Sequence, residues 1–345
     1  MTDDDPPKET FLPTPDAPVT LAHSLVNADQ RGIHSHGTAH LPDYVRKLLR
    51  GGVDPKGEPR LTLDAGAALK IDCGNAMGQI GMAFAMELIV ARAATTGVAF
   101  AAVGGSNHCG ALYYFARMAL KHHMIGLCST NSIPTMAPVG GLDKVVGLSP
   151  LCIAIPGSKD NFVLDTSFGE TARGRIAVYA QKGQPLPDGW ACDAEGRPTT
   201  DAKTALRGLI CPIGGHKGVG LGMAMGMVSS LLSGSSYGTE LGDLTNGARP
   251  GRDGHFCMAI DISKFEPVDE VRSRVDSILA EVRGGRRAGG VDRLYTPGET
   301  SEALECEYAR DGIPLNDETI QNILQSAKDV GADATVLAQL ARRSD

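Results

Sequence analysis

The stretch QIGMAFAMELIVARAATTG, Gln79 to Gly97, is apolar on every side and rich in small residues, and VAFAAVGG follows it directly. A helix without a polar face has to be buried, so the pattern predicts a buried helix feeding a short buried strand. MIGLCSTN, LCIAIPG, NFVLDTS and HFCMAIDIS are further short apolar runs bounded by Gly, Pro, Asn or Ser. Together they predict a buried sheet and a mixed α and β class.

Helices are expected along with this sheet. TLAHSLVNADQRG reads as a helix from Thr20 to near Gly32, and LPDYVRKLLRGG as a second, with Pro42 in its first turn and Gly51 as its C-terminal cap. FEPVDEVRSRVDSILAEVR repeats apolar residues at helical spacing, and ETIQNILQSAKDVGADATVLAQLARR reads as two short helices. The longest apolar stretch, Val219 to Leu232, is broken by three glycines and falls short of the roughly 20 residues a membrane span needs, so a buried helix is expected there. Residues 1–18, dominated by Asp and Pro, are expected to form a disordered acidic arm.

The 345-residue chain carries a net charge of −7 and a pI near 5.7, which argues against nucleic acid or an anionic membrane surface and for a small-molecule partner. Its eight cysteines are dispersed without a CxxC pair, which suits reduced thiols in the cytoplasm. The start MTDDDPPKETFLPTP lacks the basic and apolar regions of a signal peptide.

Five segments have the residue types for chemistry. RGIHSHGTAHLP, Arg31 to Pro42, holds His34, His36 and His40, three of the nine histidines in the chain. They suit metal binding, proton transfer or a polar loop; no compact His, Cys or carboxylate cluster completes a metal site, so none is assigned. GGSNHCGALYYFARMALKHH places His108, Cys109 and Gly110 after a strand, with a helix expected from about Gly110. Such a corner suits a phosphate, or is an ordinary capped turn. IGGHKGVGLGMAMG sets His216 and Lys217 among glycines at a helix start, where a pyrophosphate or close helix packing would account for them. It is not GxGxxG, because Met223 occupies the third glycine position, nor a Walker A loop. Asp165 in LDTSFGETARGRI and Glu299 in PGE are each able to meet a ribose hydroxyl or to cap a turn.

RGIHSHGTAHLPDYV, GGSNHCGALYYFA, NSIPTMAPVGG, LDTSFGETARGRI, DAEGRPTTDA, GGHKGVGLG, GHFCMAID and TPGE occur in the order found in the malate/L-lactate dehydrogenase family, which the chain resembles from about residue 20 to 330. The resemblance implies a non-Rossmann fold, with a mixed sheet and helices in an NAD(P)-binding domain over 73–299. A helical substrate and dimerisation domain would come from 19–72 and 300–345. It implies a homodimer that binds NAD or NADP and transfers hydride between the nicotinamide and a small 2-oxo acid or 2-hydroxy acid. Reduction of pyrroline-2-carboxylate or piperideine-2-carboxylate is the alternative within the family, and a silent cofactor-binding protein the alternative outside it.

By residue, the resemblance places a Ser-His pair on Ser35 and His36, with His36 the proton donor in reduction. His108 falls where members place a catalytic base or a cofactor contact. Cofactor contacts fall on His108, Cys109, Gly110, Asp165, Thr166, Ser167, His216, Lys217, Pro297, Gly298 and Glu299. Substrate contacts fall on His40, Leu148, Arg173 and Gly174. His40 stands where many members have an arginine that pairs with a carboxylate, Leu148 replaces a threonine, and Arg175 sits where oxo-acid members carry a lysine and imine reductases an aspartate.

Overall fold

The computed structural model describes residues 16–245, 247–336 and 339. The chain begins with helices α1 (Ala17–Gln30) and α2 (Leu41–Leu49), then strands β1 (Arg60–Ala65) and β2 (Ala68–Asp72), helix α3 (Gly78–Thr96), strand β3 (Val98–Ser106) and the single turn α4 (Tyr113–Ala116). Strands β4 (Met124–Thr130), β5 (Pro134–Met136), β6 (Val146–Gly147), β7 (Leu151–Ile155) and β8 (Phe162–Thr166) follow, and then helix α5 (Arg173–Lys182), strand β9 (Ala191–Cys192), helix α6 (Ala202–Arg207) and strand β10 (Leu209–Ile210). Helix α7 (His216–Ser233), strand β11 (Asp253–Asp261) and helices α8 (Val268–Arg283), α9 (Glu299–Asp311) and α10 (Asp317–Asp329) complete the described chain.

Among the described residues, seven strands form one sheet in the order β1-β2-β3-β11-β4-β7-β8. Only β2 and β3 run parallel; the other neighbours are antiparallel. Helix α3 buries Met82, Met86 and Ile89 against the small residues Ala99, Ala101 and Ala259 of the central strands. Helix α7 crosses the opposite face, and it comes so close that a Cβ at Gly104 or Gly254 would fall 2.6 or 2.5 Å from the carbonyl oxygens of Ser233 and Ser229. Glycine is therefore needed at both positions for packing, whatever the backbone angles.

Two expectations are corrected here. The buried helix expected over Val219 to Leu232 is buried on one face only. Gly218, Gly222, Gly226, Ser229 and Ser233 make that face, because only small side chains fit against the sheet. Leu221, Met223, Met227, Leu231 and Leu232 are exposed, Leu231 at 72%. The helix expected from about Gly110 starts at Tyr113, lasts four residues and gives way to a 3-10 turn. Gly110 has φ +75, which breaks a right-handed helix at that point.

The chain ends meet: α1 packs on α9, and α2 on α10. Glu305 of α9 takes hydrogen bonds from Asn27 of α1 and from Arg31, which caps that helix, and an ion pair from Arg117. Residues 60–72, grouped with the chain ends on the sequence, form β1 and β2 at the edge of the sheet. The arm expected over 1–18 lies outside the described residues up to position 15, and Ala17 and Pro18 already belong to α1. The last short helix lies largely outside them too. Among the described residues no helix is long and apolar enough to cross a membrane.

Candidate active site

The histidine loop is organised by an acid that the sequence reading did not single out. Asp29, at the end of α1, is 1% exposed in its side chain. One carboxylate oxygen accepts the Thr38 backbone N–H at 2.8 Å and the Thr38 hydroxyl at 2.6 Å, and the other lies 2.9 Å from His34 Nδ1. The loop thus folds back over its own helix in two 3-10 turns, His34–His36 and Thr38–His40. Gly37 sits where a Cβ would be 2.2 Å from Asp29 Oδ1, so the turn needs glycine there. His34 is an anchor of the loop.

The other two imidazoles meet His108. Ring centroids are 6.1 Å apart for His36 and His108, 5.5 Å for His40 and His108, and 6.0 Å for His36 and His40. Tyr44 closes the cluster, with its hydroxyl 2.7 Å from His108 Nδ1, and Gln79 Nε2 donates to that hydroxyl at 3.0 Å. Ser35 Oγ lies 3.0 Å from His36 Nδ1. Burial, with His40 adding like charge, lowers His36 to about 4, and burial beside His40 and His36 lowers His108 well below the usual imidazole range. Both rings are therefore neutral at pH 7. His40 is tied to Asp43, 3.5 Å away, and this hydrogen bond lowers the Asp43 carboxyl.

Gly174 joins the cluster, since a Cβ on it would lie 3.6 Å from Ser35 Cβ. Arg173 is exposed and donates to the Leu206 carbonyl at 2.8 Å, and the Arg175 guanidinium lies 4.8 Å from the centre of the Trp190 ring. Leu148 packs among the apolar residues around Met136 and Ile176, its carbonyl accepting the Phe168 N–H at 3.1 Å. Tyr44 and Gln79, both fully buried, lie in stretches expected to be helices and were not singled out on the sequence.

The residues expected to hold a cofactor gather around β8. Asp165, near its end, accepts the Tyr113 N–H at 2.8 Å, which ties it to the loop of His108, Cys109 and Gly110. Its carboxylate is open to solvent yet surrounded by protein, and desolvation pushes it up to about 6. Cys109 is 2% exposed and part of the core. Thr166 and Ser167 follow, and Phe168 accepts the Ile213 N–H at 3.0 Å, which brings the start of α7 alongside. Pro297 accepts the Val163 N–H at 3.2 Å on the other side, and Gly298, with φ +91, rests on Val163. Glu299 accepts from the Thr296 N–H and hydroxyl at 3.1 and 3.0 Å and pairs with Arg293, so its carboxylate serves its own loop.

This donor set fits a dinucleotide. The N-terminus of the 18-residue α7 has no side-chain cap and no acid in its first turn, and His216 and Lys217 stand exposed there. It offers a positive helix end and the exposed Lys217 cation to a diphosphate, while the Lys217, Gly218 and Val219 N–H groups are bonded within the turn to Gly214, Ile213 and Gly215. The solvent-open Asp165 offers an acceptor to a hydroxyl. Among the described residues no group of three or more His, Cys, Asp or Glu side chains is arranged to hold a metal ion.

Known proteins resemble this chain over most of its length. The family described as malate/L-lactate dehydrogenase matches residues 12–324. The L-sulfolactate dehydrogenase of Methanocaldococcus jannaschii is 34% identical, with 94% of this chain and 93% of that protein covered. A solved structure of sulfolactate dehydrogenase from the same organism superposes with a TM-score of 0.86 at 33% identity, covering 92% of each chain. The NAD(+) ureidoglycolate dehydrogenase of Escherichia coli is 30% identical over 89% of this chain and 88% of its own. A pyrroline-2-carboxylate and piperideine-2-carboxylate reductase of Pseudomonas putida is 30% identical over 88% of each. The chain belongs to the malate/L-lactate dehydrogenase family, a family of oxidoreductases.

Proposed function

We propose that this protein transfers hydride reversibly between NAD(P)H and a small 2-oxo acid, giving the 2-hydroxy acid, with His36 as the proton-transfer group. The observation that carries this reading is the pairing of Ser35 with His36 Nδ1 beside His108 and Gly174. Ser35 fixes the ring and leaves Nε2 as the nitrogen that exchanges a proton with the substrate oxygen. When bound, the nicotinamide supplies or receives the hydride. His216, Lys217 and the start of α7 would hold its diphosphate, and Asp165, Thr166 and Ser167, with the loop of Pro297 and Gly298, would border its sugars.

The protonation state assigns a direction. His36, lowered to about 4, is neutral in the free protein at pH 7, which suits it as the base in hydroxy-acid oxidation. For reduction it has to gain a proton in the ternary complex, where the carboxylate of the substrate, an opposite charge nearby, favours the imidazolium. The dehydrogenase names of the sulfolactate and ureidoglycolate relatives support the oxo-acid reading, and the latter's NAD(+) supports a nicotinamide cofactor. Arg175 is spent on Trp190, so its charge does not separate oxo acids from cyclic imines.

The exposed apolar face of α7 supports a homodimer. The dispersed free thiols suit the cytoplasm. The test is nicotinamide absorbance with NADH and with NADPH, against pyruvate, oxaloacetate, phenylpyruvate, sulfopyruvate and the two cyclic imines. Turnover of oxo acids is expected. Turnover of the imines alone would replace this reading with imine reduction.

A further inference from the structure

Two donors converge on one nitrogen of His108. The Tyr44 hydroxyl lies 2.7 Å from Nδ1, and the Gly110 backbone N–H donates to the same atom at 3.3 Å. A backbone N–H cannot accept, so Nδ1 must present its lone pair. Gln79 Nε2 donates to Tyr44 Oη at 3.0 Å, which leaves the single phenolic proton free to point at Nδ1. Gln79 Oε1 is buried without a partner. The flipped amide would instead leave two N–H donors in that position, a larger cost than one unmet acceptor.

We infer that Gly110, Tyr44 and Gln79 hold His108 as its Nε2–H tautomer, so that His108 is a fixed hydrogen-bond donor to the substrate oxygen and not the base of the reaction. This rests on the hydride-transfer reading of the site. Bound NAD(P)H would supply the hydride to the carbonyl carbon and become NAD(P)+, the π pair of the C=O bond would move to oxygen, and His36 delivers the proton that completes the hydroxyl. His108 keeps its own proton throughout and stabilises the charge that builds on oxygen. Tyr44 and Gln79 are positioning residues. Burial agrees with this division: it keeps His108 neutral, so the ring does not become a two-donor cation, and it raises Tyr44, which stays a donor.

The tautomer is readable without substrate. In the full-length protein labelled with 15N-histidine, the His108 resonances, identified by their loss in His108→Gln, should show an unprotonated Nδ1 and a protonated Nε2. Tyr44→Phe should weaken that signature and lower kcat by roughly tenfold to a hundredfold while leaving cofactor affinity unchanged. His108→Gln, whose amide can donate but cannot act as a base, should be at least about tenfold more active than His108→Ala. A protonated Nδ1 in the wild type would overturn the inference, as would a folded, cofactor-binding Gln variant no better than Ala. Failure of every oxo acid to react would instead count against the hydride-transfer reading, and the spectrum would still report the tautomer.

Discussion

Replacing Asp29 tests how the reactive loop is held. Its carboxylate accepts two hydrogen bonds from Thr38 and one from His34, and it is almost wholly buried. Hydrogen bonds to a charged group contribute about 1.5–3 kcal/mol each. Thr38 is half-buried, so water can partly replace the lost partner, and the lower end of that range applies to its two bonds. The His34 side chain is 44% exposed and its pair adds little. Asp29→Ala should therefore cost about 3 kcal/mol, and Asp29→Asn, which keeps one neutral acceptor, about half as much. Because the same loop carries Ser35 and His36, kcat/KM should fall about 100-fold in the Ala variant, the effect of an ångström-scale misplacement. Urea unfolding and steady-state rates measure the two effects. A variant with full activity, less stable by no more than about 0.5 kcal/mol, would refute the claim that Asp29 organises the loop.

Further predictions concern other parts of the fold. His255 is buried between Thr130 and Ser106, and desolvation lowers it from 6.5 to about 4. The unfolded ring binds a proton below about 6.5 where the folded one does not, so its contribution to stability is whole above that pH and is lost as pH falls toward 4. Relative to His255→Asn, the wild type should lose its stability advantage in urea across this window, since the raised carboxyls of Asp165 and Asp253, which act in the opposite direction, are common to both; an advantage that does not change with pH would contradict the assignment. Gly298→Ala should cost about 1–3 kcal/mol, because φ is +91 and the new Cβ would lie 2.9 Å from Val163, and it should weaken cofactor binding measured by fluorescence titration. Leu231→Asp, on the exposed face of α7, should give a monomer in sedimentation velocity; unchanged dimer would place the interface elsewhere.

Much of the sheet was legible because its strands are local events. β3, β4, β7, β8 and β11 each fall on an apolar run closed off by a breaking residue. The two- and three-residue strands β5, β6, β9 and β10 were not, since they exist only through their pairing. For α7 the apolar stretch was visible, but its buried side is the glycine and serine face, set by how near the sheet comes. The same distinction separates the site residues. Ser35, His36, His108 and Asp165 are reactive side chains in loops or at a strand end, where chemistry suggests itself. Asp29, Tyr44 and Gln79 look like ordinary helix residues, and their part appears only when the fold brings Thr38 to Asp29 and His108 to Tyr44. Glu299 shows the reverse: a carboxylate suggestive on the sequence is taken up by Thr296 and Arg293.

The central claim is that His36 moves the proton in a nicotinamide-dependent reaction, and the His36→Ala variant tests it most directly. Turnover of the best 2-oxo acid and cofactor affinity would be measured side by side with the wild type. The account predicts a loss of about 100-fold or more in kcat with cofactor affinity unchanged. Wild-type turnover in the variant would contradict it.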